Sequence, residues 1–339
     1  MKEVQILATG SYVPDRIVTN DELATVIDTN DEWIKTRTGI GERRITTGEN
    51  TSSIAAKAAL KALENSSIKP LDIDLILVAT TTPDCYTPST ACIVQNIIGA
   101  ANATCFDISA ACSGFIYALN IAYQFIKNGT KKNALIIGAE TLSKILDWND
   151  RSICVLFGDG AGAAILGCGE EKGLIQIYTG SDGKGANLLK CNAVPIDINN
   201  KKLKEKIPQN ADNEGYHYLS MEGREIFKFA VKAMGETIKT LLSSSGLTID
   251  DIKYIVPHQA NLRIIDYMIK KLKVDKKKFY TNLQYYGNTS AASIPIALDQ
   301  MNREGLLEKG DKILLVGFGG GLTWGGTIIE WTIDKQISS

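Results

Sequence analysis

A chain of 339 residues with 37 basic and 38 acidic side chains carries a formal charge of −1, so no bulk field argues for a nucleic-acid partner. Thirty glycines and the apolar content suit a globular enzyme with many tight turns, in two domains or one large α/β domain, and exclude a disordered or fibrous chain. No apolar run approaches the ~20 residues of a membrane span, and Met1 to Gly10 lacks the pattern of a secretory signal. The seven cysteines form no C-x-x-C pair and no metal-ligand spacing, which predicts a reducing, cytoplasmic setting, no metal and no membrane contact.

In chain order, the pattern predicts a strand over Val4 to Thr9, closed by Gly10-Ser-Tyr-Val-Pro14. A capped helix opens at Asn20, and a second short helix from Asn30 through Trp33 and Arg37 ends at Gly39. A helix over Ser52 to Glu64 leads to a strand over Asp74 to Thr80, and a loop through Pro83 to Pro88 leads to a helix over Ser89 to Ile98. A β-favouring run, Thr104 to Ile108, stops at small residues before an apolar helix that starts near Ser113 and ends at Asn128-Gly129. Ala134 to Ala139 is a continuous apolar run of the kind found in buried parallel strands. Gly158-Asp-Gly-Ala-Gly162 lacks both the Lys-Ser/Thr ending and the G-x-G-x-x-G spacing of phosphate loops, and reads as a structural turn into a strand over Ala164 to Leu166. The lysine-rich stretch from Asn199 to Asn210 reads as an exposed loop, and His217 beside it is assigned no role.

The second half repeats the first roughly 180 residues later, which predicts two similar α/β halves, 1–172 and 173–339. Asp74-Leu75-Ile76 and its preceding helix align with Asp251-Ile252-Lys253 and the helix from Glu222 to Leu242. Ser113 to Leu119 aligns with Ala292 to Leu298, Ala134 to Gly138 with Ile313 to Gly317, and the glycine turn before Ala163 with Trp324 to Thr327. Ligands collect at the carboxyl ends of strands in such sheets, so Cys112, His258, Asn288 and the segment 317–321 are expected to converge. Cys112 sits where a strand hands over to a buried helix, and the unpaired N–H groups there are expected to lower its pKa from about 8.5. That makes it the candidate nucleophile.

Ala111-Cys112-Ser113-Gly114, Pro257-His258-Gln259-Ala260-Asn261, Tyr286-Gly287-Asn288-Thr289-Ser290 and Gly317-Phe318-Gly319-Gly320-Gly321 stand in this order along the chain. They resemble the signature segments of the β-ketoacyl-acyl-carrier-protein synthase III family, over nearly the whole chain. The resemblance implies a thiolase-like fold, a duplicated five-layer αβαβα architecture, and a homodimer. It implies that acyl-CoA loads Cys112 and that malonyl-acyl-carrier protein then condenses with the acyl group, with no tightly bound cofactor. Residue by residue, it assigns catalysis to Cys112, His258 and Asn288 and the oxyanion hole to the backbone N–H groups of Cys112 and Gly320. Phe318 is assigned to gating. Trp33 and Arg151 are expected to sandwich adenine, Arg37 to meet the phosphate side, and Gly223, Phe227, Ala260 and Arg263 to line the pantetheine channel. Arg263, Lys270 and Lys271 are expected to dock the acidic carrier protein.

Thr87 stands where many members have a phenylalanine that closes the acyl pocket across the dimer, which predicts room for a longer or branched primer. Arg224 replaces a more usual asparagine, and the segment 190–215 is longer than usual. Four alternatives are weighed on sequence alone, among them the elongating synthases, which use two histidines where position 288 is Asn. Another is a relative that loads starter units or transfers acyl groups in specialised metabolism. A biosynthetic thiolase needs a second active cysteine where Gly319-Gly320-Gly321 stands, and a non-catalytic CoA-binding protein has no use for the Cys-His-Asn set.

Overall fold

The computed structural model describes residues 3–193 and 218–334. The lysine-rich stretch from 199 to 210 and His217 lie outside them. The first half of the chain runs β1 (Glu3–Tyr12), β2 (Ile17–Thr19), α1 (Asn20–Leu23), α2 (Asp31–Thr38), β3 (Glu42–Arg44), α3 (Thr51–Glu64), β4 (Leu75–Ala79), α4 (Thr90–Ile98), β5 (Thr104–Ile108), α5 (Gly114–Lys127), β6 (Ala134–Glu140) and β7 (Gly160–Gly169). The second runs β8 (Leu174–Ser181), β9 (Leu189–Cys191), β10 (Leu219–Met221), α6 (Gly223–Ser245), β11 (Tyr254–Pro257), α7 (Leu262–Leu272), α8 (Leu283–Tyr286), α9 (Ser293–Arg303), β12 (Lys312–Gly319) and β13 (Thr323–Glu330).

Two main sheets follow one plan. The first has the order β1-β7-β6-β4-β5 and the second β8-β13-β12-β11. β4 and β6 of the first sheet and β12 of the second are buried apolar runs, as a sheet covered on both faces requires. Helices α5 and α9 lie between the sheets, α3 and α4 cover the first, and α6 with α7 covers the second. The result is five alternating helix and sheet layers. The middle layer explains the composition of α5: Phe115, Ile116, Ala118, Leu119, Ala122 and Ile126 are all buried because both faces of the helix meet a sheet.

Strand registers fix the internal repeat more finely than the sequence does. β4 pairs with β6 through Leu75 and Ala134, and β11 pairs with β12 through Tyr254 and Ile313. With Ala134 equivalent to Ile313, Leu75 is equivalent to Tyr254. The alignment of Asp74 with Asp251 is therefore out by two residues, a slip that keeps every side chain on its own face of the sheet. The correction places His258 opposite Ala79. At the outer edge the halves part. β5 is a full strand, whereas its counterpart is a single bridge between Ile255 and Phe279.

Candidate active site

Each half carries a strand-to-helix elbow of the same shape. Ala111 has φ +44° and opens the single 3-10 turn Ala111–Ser113 that leads into α5. Ser290 has φ +49° and opens the turn Ser290–Ala292 before α9. Both residues are held in the left-handed region that side chains with a Cβ avoid, a strain that packing must impose. The packing is reciprocal. A Cβ on Gly138 of β6 would lie 2.2 Å from the carbonyl oxygen of Ala291, and one on Gly317 of β12 would lie 3.2 Å from Ser113 Cα. A Cβ on Gly319 would lie 2.7 Å from Cys112 N, so only glycine lets β12 pass the nucleophile turn. Thr323 Oγ1 donates to the carbonyls of Ala110 (3.0 Å) and Gly320 (2.9 Å), tying that turn to the glycine-rich loop.

His258 follows β11 and is 1% exposed. Its N–H donates to Val316 O at 2.8 Å, and its ring meets Phe318 edge to face at 5.3 Å. Ser293 Oγ lies 2.7 Å from Nδ1 and accepts the N–H of Gln259 at 3.4 Å. Ser293 thus holds the Nδ1 edge of the imidazole. Burial pushes the His258 pKa down to about 3, so the ring is neutral in ordinary buffers. Asn288 is bridged to Phe157, and its Oδ1 accepts the Ser290 N–H at 2.8 Å. The amide NH₂ is left as the donor end available to the cavity.

Cys112, His258, Asn288, Phe318 and Gly319 line one cavity of about 260 Å³ together with Trp33, Arg37, Gly223, Phe227 and Ala260. A second cavity of about 350 Å³ opens on the other side of Cys112, between Leu142, Ile145, Phe157, Leu189, Leu219 and Gly320. The nucleophile candidate thus stands where two chambers share a wall.

The expected acidification of Cys112 does not occur. Burial pushes its thiol up to about 12, the charge of Glu140 adds to the rise, and hydrogen bonds from Ser290 and from its own backbone N–H only partly oppose it. Helix-end dipoles are worth a few tenths to about 1 kcal/mol at the surface, too little to offset removing a thiolate from water.

Trp33 is placed by α2. Asn30 caps the helix by accepting Trp33 N–H at 2.7 Å, and Gly39 (φ +81°) ends it. A Cβ on Gly39 would meet Leu262 at 2.5 Å, so this close approach docks α2 on α7 beside Ala260. Arg37 and Arg151 carry their guanidinium carbons 4.5 Å and 5.4 Å from the Trp33 ring centroid. Arg151 is also paired with Asp28 at 2.9 Å and does not line the cavity. A purine stacked between two planes needs about 7 Å, so a guanidinium must move to admit one. Arg263, Lys270 and Lys271 are exposed on α7 outside the first cavity. Thr87 is exposed on its loop and lines neither cavity of its own chain. The turn at Gly158–Gly162 is structural: buried Asp159 accepts from Thr46 N (2.8 Å) and Ser143 N (2.9 Å).

Sequence reasoning missed two groups. Leu189 and Met221, flanking the long segment read as a loop, line the main cavity. Glu140, at the end of an apolar strand, is wholly buried next to the nucleophile turn. Its signal was a carboxylate closing a run that is otherwise apolar.

A cysteine on one elbow, faced by histidine and asparagine donors from the duplicated half, defines a condensing enzyme of thiolase-like fold. Family models described as 3-oxoacyl-[acyl-carrier-protein] synthase III and its C-terminal part match residues 106–183 and 242–331. The β-ketoacyl-[acyl-carrier-protein] synthase III of Clostridium novyi is 61% identical over 98% of this chain and 100% of its own length. The crystal structure of the Aquifex aeolicus 3-oxoacyl-[acyl-carrier-protein] synthase III superposes with a TM-score of 0.89 at 45% identity, over 97% of this chain and 100% of that one. The priming β-ketosynthase of the R1128 polyketide pathway gives a TM-score of 0.89 at 36% identity, over 99% of this chain and 98% of that one. The chain belongs to the β-ketoacyl-acyl-carrier-protein synthase III family and is a condensing acyltransferase.

Proposed function

We propose that the enzyme loads an acyl group from acyl-CoA onto Cys112 and condenses it with malonyl-acyl-carrier protein, releasing CO₂ and the 3-ketoacyl-carrier product that starts type II fatty-acid synthesis. The observation that carries this reading is the single cavity in which Cys112, His258 and Asn288 meet, with half-buried Trp33 and exposed Arg37 at its solvent end. Coenzyme A enters along Gly223, Phe227 and Ala260, with its nucleotide at Trp33, Arg37 and Arg151. The Cys112 and Gly320 N–H groups hold the tetrahedral oxyanion, a contribution of roughly 3 kcal/mol per donor. Decarboxylation supplies its own electron pair, so the site needs donors for the enolate oxygen, not a base. His258 Nε2–H and the Asn288 amide have that character, because one ring is held neutral and asparagine cannot be protonated or deprotonated. Phe318 covers His258 and keeps water from the thioester.

The second cavity receives the primer. At about 350 Å³ it has room beyond an acetyl group, which favours a longer or branched acyl chain. A homodimer forms across β5, which is the edge of the first sheet and packs against α4 with its exposed Ile97, and places Thr87 at the partner's primer pocket. The halves 1–172 and 173–339 meet between β7 and β8. Among the described residues no helix is long and apolar enough to cross a membrane, and all seven cysteines are free, which supports a reducing cytoplasm. Turnover across acyl-CoA lengths with malonyl-carrier protein tests the reading: 3-ketoacyl product with a preference beyond acetyl is expected, and no product sinks it. Arg263→Glu should raise KM for the carrier protein more than for acyl-CoA, and equal effects would remove the docking role.

A further inference from the structure

Glu140 is buried with five hydrogen-bond donors around its carboxylate. Thr80 Oγ1 (3.2 Å), Thr81 N (3.0 Å) and Thr82 Oγ1 (2.7 Å) donate to Oε2, and Thr81 Oγ1 (3.1 Å) and Ser290 Oγ (3.0 Å) donate to Oε1. The directions of two hydroxyls are locked. Thr82 Oγ1 already accepts Thr141 N–H at 2.9 Å, and Thr80 Oγ1 accepts Thr82 N–H at 3.1 Å, so each aims its proton at the carboxylate. A cage of donors suits an ionised acid. Ser290 differs from the threonines because it also hydrogen-bonds the Cys112 sulfur, and it stands in the same second cavity. While it donates to Glu140, its lone pair faces the thiol.

The repeat gives this contact an origin. Ser290 is the counterpart of Ala111 at the second elbow, and Glu140 on β6 is the counterpart of Gly319 on β12. Where Gly319 leaves space for the nucleophile turn, Glu140 reaches across to the other turn.

We propose that Cys112, Ser290 and Glu140 share one exchangeable proton, held as thiol and carboxylate at rest and as thiolate and carboxylic acid when the sulfur attacks. In the first half-reaction the Cys112 S–H proton passes to Ser290 Oγ and the Ser290 proton passes to Glu140 Oε1. The sulfur bonds to the acyl carbon, the acyl–S bond to CoA breaks, and the CoA thiolate takes a proton from water. In the second, the new C–C bond forms as the Cys112–acyl bond breaks, and Glu140 returns its proton through Ser290 to the sulfur. One solvent proton is consumed per turnover, and nothing is oxidised or reduced. Glu140 acts through Ser290 and is a positioning residue.

The other ionisable groups facing the unit are His258, held neutral by burial, and Lys144, whose ammonium bonds the carbonyls of Thr82 (2.7 Å) and Pro83 (2.9 Å), with Asp84 and Asp159 beyond it. Burial raises the pKa of Glu140, and the hydrogen bonds from Thr82, Thr81 and Ser290 oppose that rise.

The test is the rate of Cys112 alkylation by iodoacetamide, followed by peptide mass between about pH 6 and pH 9. With a shared proton, the wild-type rate is level with pH wherever Glu140 is ionised, because the pair then holds one proton whatever the pH. Glu140→Gln has no partner charge and keeps climbing about tenfold per pH unit, overtaking the wild type at the alkaline end. Parallel wild-type and Glu140→Gln profiles overturn the proposal, since a structural role would shift the rate by a constant factor. Ser290→Ala, which leaves the threonine cage intact, lowers the rate about tenfold through loss of the hydroxyl donor to the thiolate, and a wild-type rate would equally overturn it. Lys144→Gln keeps the level stretch; its loss there would assign the effect to the lysine and contradict the proposal. The inference rests on Cys112 being the acyl acceptor, so labelling by acyl-CoA is run in parallel. No label sinks that reading, whereas label with parallel profiles sinks only the shared proton.

Discussion

The two halves share a backbone plan and differ in the side chains they present to the cavity. Each has a strand with a glycine two residues from its end that presses on the other half's elbow, Gly138 on Ala291 and Gly317 on Ser113. Each elbow opens on a residue with positive φ. Yet the first elbow carries Cys112 where the second carries Ala291, and β11 runs on into His258 where β4 ends in Ala79. Asn288 likewise replaces Ser109. Duplication thus supplied two elbows facing one space, and side-chain identity set a thiol on one side and an imidazole and a carboxamide on the other. The edges divided too: β5 is a strand with a free edge, and its counterpart has shrunk to one bridge at Phe279. At this edge the first half keeps a full strand and the second, among the described residues, a single bridge.

The largest effect should come from removing the donors of the second half while leaving the first intact. His258→Ala and Asn288→Ala are each expected to slow malonyl decarboxylation by about 10²–10³-fold while Cys112 still acquires its acyl group within a few-fold of the wild-type rate. Equal losses in both steps would mean that the halves do not divide the work. Next come the paired glycines. Gly138→Ala would drive a Cβ to 2.2 Å from a backbone oxygen and should cost about 3 kcal/mol, whereas Gly317→Ala, at 3.2 Å, should cost about 1 kcal/mol, as read by denaturant midpoints. Similar costs would break the graded reciprocity of the two elbows.

A smaller effect follows from His258. Its folded pKa, about 3, lies below the unfolded value of about 6.5, so protons favour the unfolded chain. The stability that the neutral ring allows is complete above about pH 6.5 and declines as the pH falls toward 3. Between about pH 6.5 and pH 5 the wild type should lose about 2 kcal/mol relative to His258→Gln, and coincident pH profiles would contradict the burial that sets the donor's charge. Smallest is the rim. Trp33→Ala should raise KM for acyl-CoA about tenfold with kcat nearly unchanged, and a fall in kcat alone would move Trp33 out of the binding site.

Much of this was legible in the sequence because the decisive residues sit in local patterns. The apolar runs at Leu75 to Ala79 and Ala134 to Ala139 announce covered strands, and the motif segments name Cys112, His258 and Asn288. Three things were not legible. Register is one: a two-residue slip preserves alternation, so sequence matching set Asp251 where the hydrogen bonds set Lys253 and Tyr254. Charge state is another, because the helix end at Cys112 can be read from the sequence, but the depth of its burial and the nearness of Glu140 come only from tertiary packing. The third is the reach of loop flanks, since Leu189 and Met221 line the main cavity from segments that read as polar surroundings.

The central claim is that Cys112 is the acceptor on which both chambers converge. Incubation of the purified enzyme with a panel of acyl-CoAs, followed by intact mass and peptide mapping, tests it most directly. The account predicts one acyl adduct per chain, located on the peptide containing Cys112, absent from Cys112→Ala and retained in His258→Ala and Asn288→Ala. An adduct on another residue, or an undiminished adduct on Cys112→Ala, would contradict it.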